Sequence, residues 1–150
     1  MKILTLGFLV RNRQILLAMK KRGFGVGKWN GVGGKLELGE TVEQGLRREV
    51  YEEIEVACGT VVLLGKVVFE GTQKEPVSVW IYAILDWEGE PRETEEMRPQ
   101  WFEINQLPFD DMWPDNRNWM PLFLAGKQFN GQFRFEDDEI QDFEINEVAN

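Results

Sequence analysis

The sequence predicts one α/β (α+β) domain over residues 1–150, a curved mixed sheet held between two helices. Three observations predict it. β-branched and aromatic residues concentrate in short segments bounded by glycine, proline or polar turns, as strands do. Two other segments repeat apolar residues at every third or fourth position, as helices do. Finally, 43% hydrophobic residues in a 150-residue chain suffice for one buried core, and no repeat, linker or low-complexity tract divides it.

Ile3 to Val10 and Gln14 to Met19 are short, apolar and separated by Arg11 to Arg13, which reads as two strands joined by a tight polar turn. The first of them follows Lys2 as a signal-peptide core follows its basic residue, but Arg11 and Arg13 close it and no small-residue cleavage site follows, so it reads as a strand. A glycine-rich loop comes next: Gly23, Gly25, Gly27, Gly31, Gly33 and Gly34 surround Lys28, Trp29 and Asn30, so this backbone bends and lets something approach it closely. Its Gly-x-Gly repeats fall short of a dinucleotide fingerprint, which needs a helix starting at the glycines. From Thr41 the period becomes helical. Thr41 and Gln44 have capping-box spacing, and Val42, Leu46, Val50 and Ile54 recur every fourth residue as one apolar stripe. Val61 to Glu70, Val77 to Asp86 and the shorter Arg98 to Glu103 read as strands. Pro114 to Gly126 reads as a second helix, opened by Pro114, ended by Gly126 and carrying Trp119, Leu122 and Phe123 at helical spacing. Asn130-Gly131, between Phe129 and the alternating Phe133 and Phe135, predicts a hairpin turn, with Ile140 to Asn146 as a returning or neighbouring strand.

The net charge of −9 is unevenly spread. Gly34 to Val56 holds seven acids against Lys35, Arg47 and Arg48, and Glu136 to Asn150 holds seven acids and no base; the rest is slightly basic. A concentrated acidic patch in a mildly basic frame suits a metal and a small phosphorylated ligand, and is unsuited to gripping a nucleic-acid duplex. The C-terminal acids read as a solvated edge that deters strand pairing. One cysteine, Cys58, and no histidine exclude an internal disulfide, a zinc cluster and Ser-His catalysis, so any metal is held by oxygen. No apolar run approaches the roughly 18 residues that span a bilayer. The expectation is a cytoplasmic monomer without membrane or nucleic-acid partners.

Glu49, Glu52 and Glu53 sit at i, i+3 and i+4 of the first helix, which projects three carboxylates from one side within about one 5.4 Å turn. Acids on a helix usually form a solvated face. Here no lysine relieves their repulsion, Arg47 and Arg48 both precede the cluster and Glu55 adds a further acid, a pattern that suits Mg²⁺, or Mn²⁺ in its place.

Gly34, Glu40 and the run Arg48-Glu49-Val50-Tyr51-Glu52-Glu53-Ile54-Glu55-Val56 resemble the Nudix box, matching six of its seven fixed letters and both apolar positions. Glu55 stands where that pattern has a glycine ending the helix, so the left-handed turn is either taken by Glu55 or shifted towards Gly59. Further segments resemble the animal MutT-like branch of the family: Met19 to Gly25, Trp29-Asn30-Gly31, Gly33-Gly34-Lys35, Val68-Phe69-Glu70, Glu96 to Pro99, and Asp111 to Asp115. The resemblance implies a cation-dependent hydrolase that converts oxidised purine nucleoside triphosphates, 8-oxo-dGTP first, to monophosphate and pyrophosphate. It implies Gly33 (by its carbonyl), Glu49, Glu52, Glu53 and Glu96 as metal ligands, Glu52 or Glu53 as general base with Glu96 as a contender, and Arg48 as the residue holding the carboxylates. Thr5, Lys20, Phe24, Asn30, Phe69, Met97, Trp113 and Asp115 would line the nucleotide pocket. Asn116, where that branch has a second aspartate, would present its amide to the base. On pattern alone Phe24, Phe69 and Met97 are as readily core residues, whereas Trp113 sits among Pro108, Asp110, Asp111, Pro114 and Asp115, in a loop. Two other readings keep the same residues: a Nudix pyrophosphatase for another nucleoside diphosphate-linked substrate, and a nucleotide sensor without turnover.

Overall fold

Alternation along the first two strands decides the architecture. In the computed structural model, which describes residues 1–148, β1 (Lys2–Arg11) and β2 (Gln14–Lys20) each send successive side chains to opposite faces. Phe8, Ile15 and Leu17 enter one core, while Leu9, Leu16 and Ala18 enter the other. The helix α1 (Val42–Ile54) covers the second core with Leu46, Val50 and Ile54, all fully buried and each contributing about 1.5–3 kcal/mol by burial. The helix α2 (Asn116–Leu124) covers the first with Trp119, Met120 and Phe123. The sheet therefore lies between two helices, as the sequence predicts.

β1 turns into β2 through Asn12 and Arg13, both at positive φ (42° and 63°), the twist of a two-residue hairpin. β1 runs parallel to β6 (Val77–Ile84), from Lys2 opposite Val77 to Leu9 opposite Ile84. β5 (Val61–Glu70) pairs antiparallel with β6 and parallel with β9 (Phe129–Glu136), whose outer neighbour is β10 (Glu139–Glu147). On the far side of β2 lies β8 (Met97–Glu103), while β3 (Trp29–Asn30) pairs with Ala18 and Met19 on the same edge of β2 as β1. The short ribbon of β4 (Ala57–Cys58) and β7 (Trp87–Glu88) is separate.

One irregularity creates the site. β1 and β2 pair only next to their turn, at Val10 with Ile15 and Arg11 with Gln14, and then diverge. Residues 31–35 bridge onto β1 in the opening, at Gly7 with Val32 and Leu4 with Lys35. A cleft results, bounded by β1, β2, the glycine-rich loop and the start of α2.

Several boundaries differ from those predicted. Asn130 and Gly131 lie inside β9, and the hairpin turn is Asp137-Asp138, at φ 52° and 64°. Gly131 is there for packing: a Cβ would press on the Glu144 carbonyl and Ile145 across the ladder. The second helix starts at Asn116 with Asp115 as its cap, because Pro114 lies outside it, and Pro121 is inside. Gly126 (φ 71°) ends it in a left-handed turn, with Lys127 N–H donating to the Leu122 carbonyl at 3.0 Å. β6 stops at Ile84, since Asp86 leaves the ladder to bind the Thr60 N–H at 2.8 Å, and β8 begins one residue early at Met97. The acidic C-terminal stretch is the edge strand β10, apart from residues 149–150, which lie outside the described range.

Candidate active site

Two features of the sequence place the carboxylates. The capping box forms as predicted, with Gln44 N–H donating to Thr41 Oγ1 at 3.1 Å and Thr41 N–H to Gln44 Oε1 at 2.9 Å, which fixes where α1 begins. At the other end Glu55 itself takes the left-handed conformation (φ 60°, ψ 38°), so the helix stops at Ile54 without the glycine of the family pattern. Between them the apolar stripe faces the core, and Glu49 lies against Gly34 at the edge of the cleft.

Arg48 organises those acids. Its Nε and Nη2 donate to both oxygens of Glu40 (2.7 and 3.0 Å), its Nη1 donates to Glu49 (2.9 Å) and Glu52 (3.3 Å), and Nη2 also reaches the Lys35 carbonyl at 2.9 Å. The bidentate contact to Arg48, then the Glu37 N–H, hold the Glu40 carboxyl below its ordinary range, while Glu40 above all raises the Arg48 guanidinium further. Glu53 points the other way, into protein: it is 5% exposed and its Oε2 has no hydrogen-bond partner. Burial, the neighbouring Glu49 and the charge of Glu96 push its pKa up to about 9, against the pull of Lys20.

Glu49, Glu52, Glu53 and Glu96 do not converge on one point: among the described residues no three acidic side chains stand in metal-holding geometry. Arg48 occupies Glu49 and Glu52, and Glu52 and Glu96 are more than half exposed. The donors nevertheless fit a hard divalent cation. A buried carboxylate oxygen without a partner, pressed by two further carboxylates, is the environment a cation relieves. Gly33 and Gly34 complete the edge. A Cβ on Gly33 would fall inside the Thr5 carbonyl, and one on Gly34 would lie 2.8 Å from the Glu49 carboxylate. Thr5 clasps the pair, its N–H donating to the Gly34 carbonyl at 2.9 Å and its Oγ1 accepting from Gly34 N–H at 3.2 Å.

Beyond these glycines is a cavity of about 240 Å³. Thr5, Lys20, Phe24, Asn30, Phe69, Met97, Trp113, Asp115 and Asn116 all line it. Met97 is also buried in one core and Phe69 stacks on Phe133 at 5.6 Å, so each is core and wall at once. At the mouth Phe24, 60% exposed, stacks on Trp113 with ring centres 5.3 Å apart, and the Lys28 ammonium lies 5.0 Å from the same indole. At the floor Asp115 Oδ2 accepts from Trp119 Nε1 at 2.7 Å, and burial pushes Asp115 up to about 6 despite that bond. Asn116 corrects the expectation from sequence: its Nδ2 donates to the Trp113 carbonyl at 3.1 Å, and the atom left without a partner is the acceptor Oδ1. Asn30 is the converse. Its Oδ1 accepts from Gly31 N–H at 2.8 Å, leaving the amide as the free group.

Sequence reasoning missed Trp119, Lys28, Thr72 and Gln73 in the wall. The i, i+4 spacing from Asp115 could have found Trp119, and the position of Lys28 beside Trp29 could have found it; Thr72 and Gln73 carry no local signal. No helix among the described residues is long and apolar enough to cross a membrane.

The NUDIX domain profile matches residues 1–123. The chain is 47% identical over 149 residues to the oxidized purine nucleoside triphosphate hydrolase of Danio rerio, covering 98% of this chain and 96% of that one. It is 44% identical to the protein of the same name from Mus musculus, with the same coverage. A crystal structure of a MutT protein from Bacillus halodurans superposes with a TM-score of 0.84 over 97% of this chain and 98% of the other, at 21% identity, a likeness of fold.

Proposed function

This chain belongs to the Nudix family, and we propose that within it the chain hydrolyses oxidised purine nucleoside triphosphates, 8-oxo-dGTP before others, to monophosphate and pyrophosphate, as one domain over residues 1–150 acting as a cytoplasmic monomer on the nucleotide pool. The carrying observation is a junction: a cavity floored by buried Asp115 and Asn116 and walled by Trp113 opens at Gly33 and Gly34 onto the carboxylates of α1. A flat aromatic base with a polar edge fits the first part and a polyphosphate the second. The names of the fish and mouse relatives point to the same substrate class.

Gly33, Glu49, Glu52, Glu53 and Glu96 would hold a divalent cation, Mg²⁺ or Mn²⁺, which would supply neutralisation of phosphate charge and acidification of water. The residues of the chain do the rest. Lys20 lies between cavity and carboxylates, where an ammonium meets phosphate oxygens. Arg48 keeps Glu49 and Glu52 from springing apart. Glu52, Glu53 and Glu96 are the available acceptors for the proton of water, and Gln variants at each rank them by rate. With the carboxylates assigned to the cation and to the proton, water is the nucleophile of this reading.

Pyrophosphate release with 8-oxo-dGTP, dGTP, a dinucleoside polyphosphate and a sugar nucleotide, each with Mg²⁺, tests the reading. Fastest turnover of 8-oxo-dGTP is expected. Preference for the dinucleoside polyphosphate or sugar nucleotide would refute the substrate, and tight binding without release would make the chain a sensor.

A further inference from the structure

The segment before β8 carries Glu96, and its attachment to α1 passes through one hydroxyl. Thr94 Oγ1 donates to the Glu53 carbonyl at 2.9 Å and accepts from the Glu96 N–H at 3.3 Å and the Met97 N–H at 3.2 Å. One donor and two acceptor sites are thereby all used. The Thr94 N–H closes the turn on the Met97 carbonyl at 2.9 Å, and next to it the Arg92 N–H donates to the Ile54 carbonyl at 3.0 Å. Glu53 and Ile54 are the last two residues of α1, whose carbonyls have no partner within a helix, and no basic side chain in its last turn serves them. A loop 41 positions away in sequence serves them instead.

We propose that Thr94 is a positioning residue for the cation site: its hydroxyl fastens the Glu96 backbone to the Glu53 end of α1, which keeps two carboxylates from distant parts of the chain within reach of one cation. The proposal rests on the cation-dependent reading above. A residue that merely stabilised its own turn would need only the bonds to Glu96 and Met97; the bond to Glu53 reaches across to the element that carries the other acids. The loop is also tied to the cavity side, since Lys21 N–H donates to the Glu96 carbonyl at 2.9 Å and Lys21 pairs with Glu93. With the hydroxyl gone, the Glu53 carbonyl and two N–H groups lose their partners, and Glu96 follows the β2 side of the cleft away from Glu53.

The test is Mn²⁺ titration of the whole chain, with free Mn²⁺ read by electron paramagnetic resonance, so turnover plays no part. Thr94→Val keeps the shape and removes the hydroxyl; its Mn²⁺ dissociation constant should rise about tenfold or more, the usual effect of losing a residue that orients a ligand. Thr94→Ser should restore affinity to within about twofold. In a Glu96→Gln background, Thr94→Val should add less than about twofold, because the residue it positions no longer ligates. Unchanged affinity in Thr94→Val overturns the proposal, as does equal loss in Thr94→Ser or a full further loss in the Glu96→Gln background. If Thr94→Val does not fold, Thr94→Ala is held to the same expectations. A native chain that binds no Mn²⁺ overturns the cation-dependent reading and this proposal together, whereas native binding with an unaffected Thr94→Val chain overturns this proposal alone.

Discussion

Replacing the ionisable carboxyl of Glu53 by an amide should make the metal-free protein more stable while destroying its activity. Glu53 is 5% exposed and its carboxyl titrates at about 9, against an ordinary 4.5, chiefly because burial disfavours the anion. The folded chain holds this proton more tightly than the unfolded chain does. The stability it contributes is therefore complete below about pH 4.5 and is lost progressively as pH rises towards about 9. At pH 7 the loss is on the order of 3 kcal/mol, from about 1.4 kcal/mol for each of some 2.5 pH units above the unfolded value. Glu53→Gln fills the same space, does not ionise and escapes that loss. In EDTA at pH 7 the variant should melt roughly 6–12 °C above the native chain, at about 2–4 °C per kcal/mol for a domain of this size. At pH 5, close to the unfolded value of 4.5, the unfolded carboxyl also keeps part of its proton and the gain should shrink to under about 1 kcal/mol. Thermal unfolding by circular dichroism at both pH values, with EDTA and then with Mg²⁺, is the assay. Mg²⁺ should raise the native midpoint more than that of the variant, and pyrophosphate release by the variant should vanish. A variant no more stable than the native chain at pH 7, or equally stabilised at pH 5 and 7, would refute the argument that an uncompensated buried carboxyl is held there for a cation.

Trp113→Ala should weaken 8-oxo-dGTP binding to the inactive Glu53→Gln chain by about 1–3 kcal/mol, the scale of base stacking, and pyrophosphate binding much less; an unchanged dissociation constant would return Trp113 to a structural role. Ionised Asp115 accepts from a base edge more strongly, and through both oxygens, than protonated Asp115 does, so nucleotide affinity should climb as pH rises through about 6, and Asp115→Asn should flatten that profile, as fluorescence titration from pH 5 to 8 would show. The same upward displacement costs the free protein stability as pH rises from about 3.8 through about 6, a loss the Asn variant should lack in denaturant titrations. The free Asn30 amide with the acceptors Asp115 and Asn116 matches the order carbonyl, N–H, N–H on a guanine edge and opposes the reverse order on 2-oxoadenine, so 8-oxo-dGTP should exceed 2-oxo-dATP by about tenfold or more in kcat/KM. Asn116→Asp, which can carry or release a proton, should narrow that gap; equal turnover of both by the native chain would show that Asn116 does not set the choice of base.

What the sequence made legible was what local spacing encodes. The α1 stripe and the Thr41–Gln44 box depend on residues three and four apart, and both formed as predicted. The same spacing brought Glu49 and Glu52 to one arginine. Spacing alone misled at Asn130-Gly131, the dipeptide most typical of a hairpin turn, because β9 pairs with both β5 and β10 and uses the missing side chain for close contact. The strands Trp29–Asn30, Ala57–Cys58 and Trp87–Glu88 have two residues each, too few to show a period. The way Asn116 faces was equally hidden, since the carbonyl of Trp113 decides it. Thr94 had no signal at all: its partner Glu53 is brought to it only by the fold.

The deepest departures from ordinary packing coincide with the two ends of the cleft. Native proteins leave few buried polar atoms without partners, because each costs about 1–3 kcal/mol. Among the described residues two side-chain atoms stand in that state, Glu53 Oε2 and Asn116 Oδ1. One is at the carboxylate end, the other in the floor where a base edge would lie. They ask for opposite halves of one ligand: a buried carboxyl oxygen, whose proton a cation would displace, calls for a cation with its phosphates, and a neutral buried carbonyl for an N–H donor. A nucleoside triphosphate with its divalent cation carries both, and a lone phosphate or a lone base carries one. The folded chain is least satisfied where that ligand would satisfy it, so binding should stabilise the protein more than either fragment does alone, and the midpoint shifts of Mn²⁺ and of the nucleoside, added together, should fall short of the shift with Mn²⁺ and a non-hydrolysable analogue of the intact nucleotide.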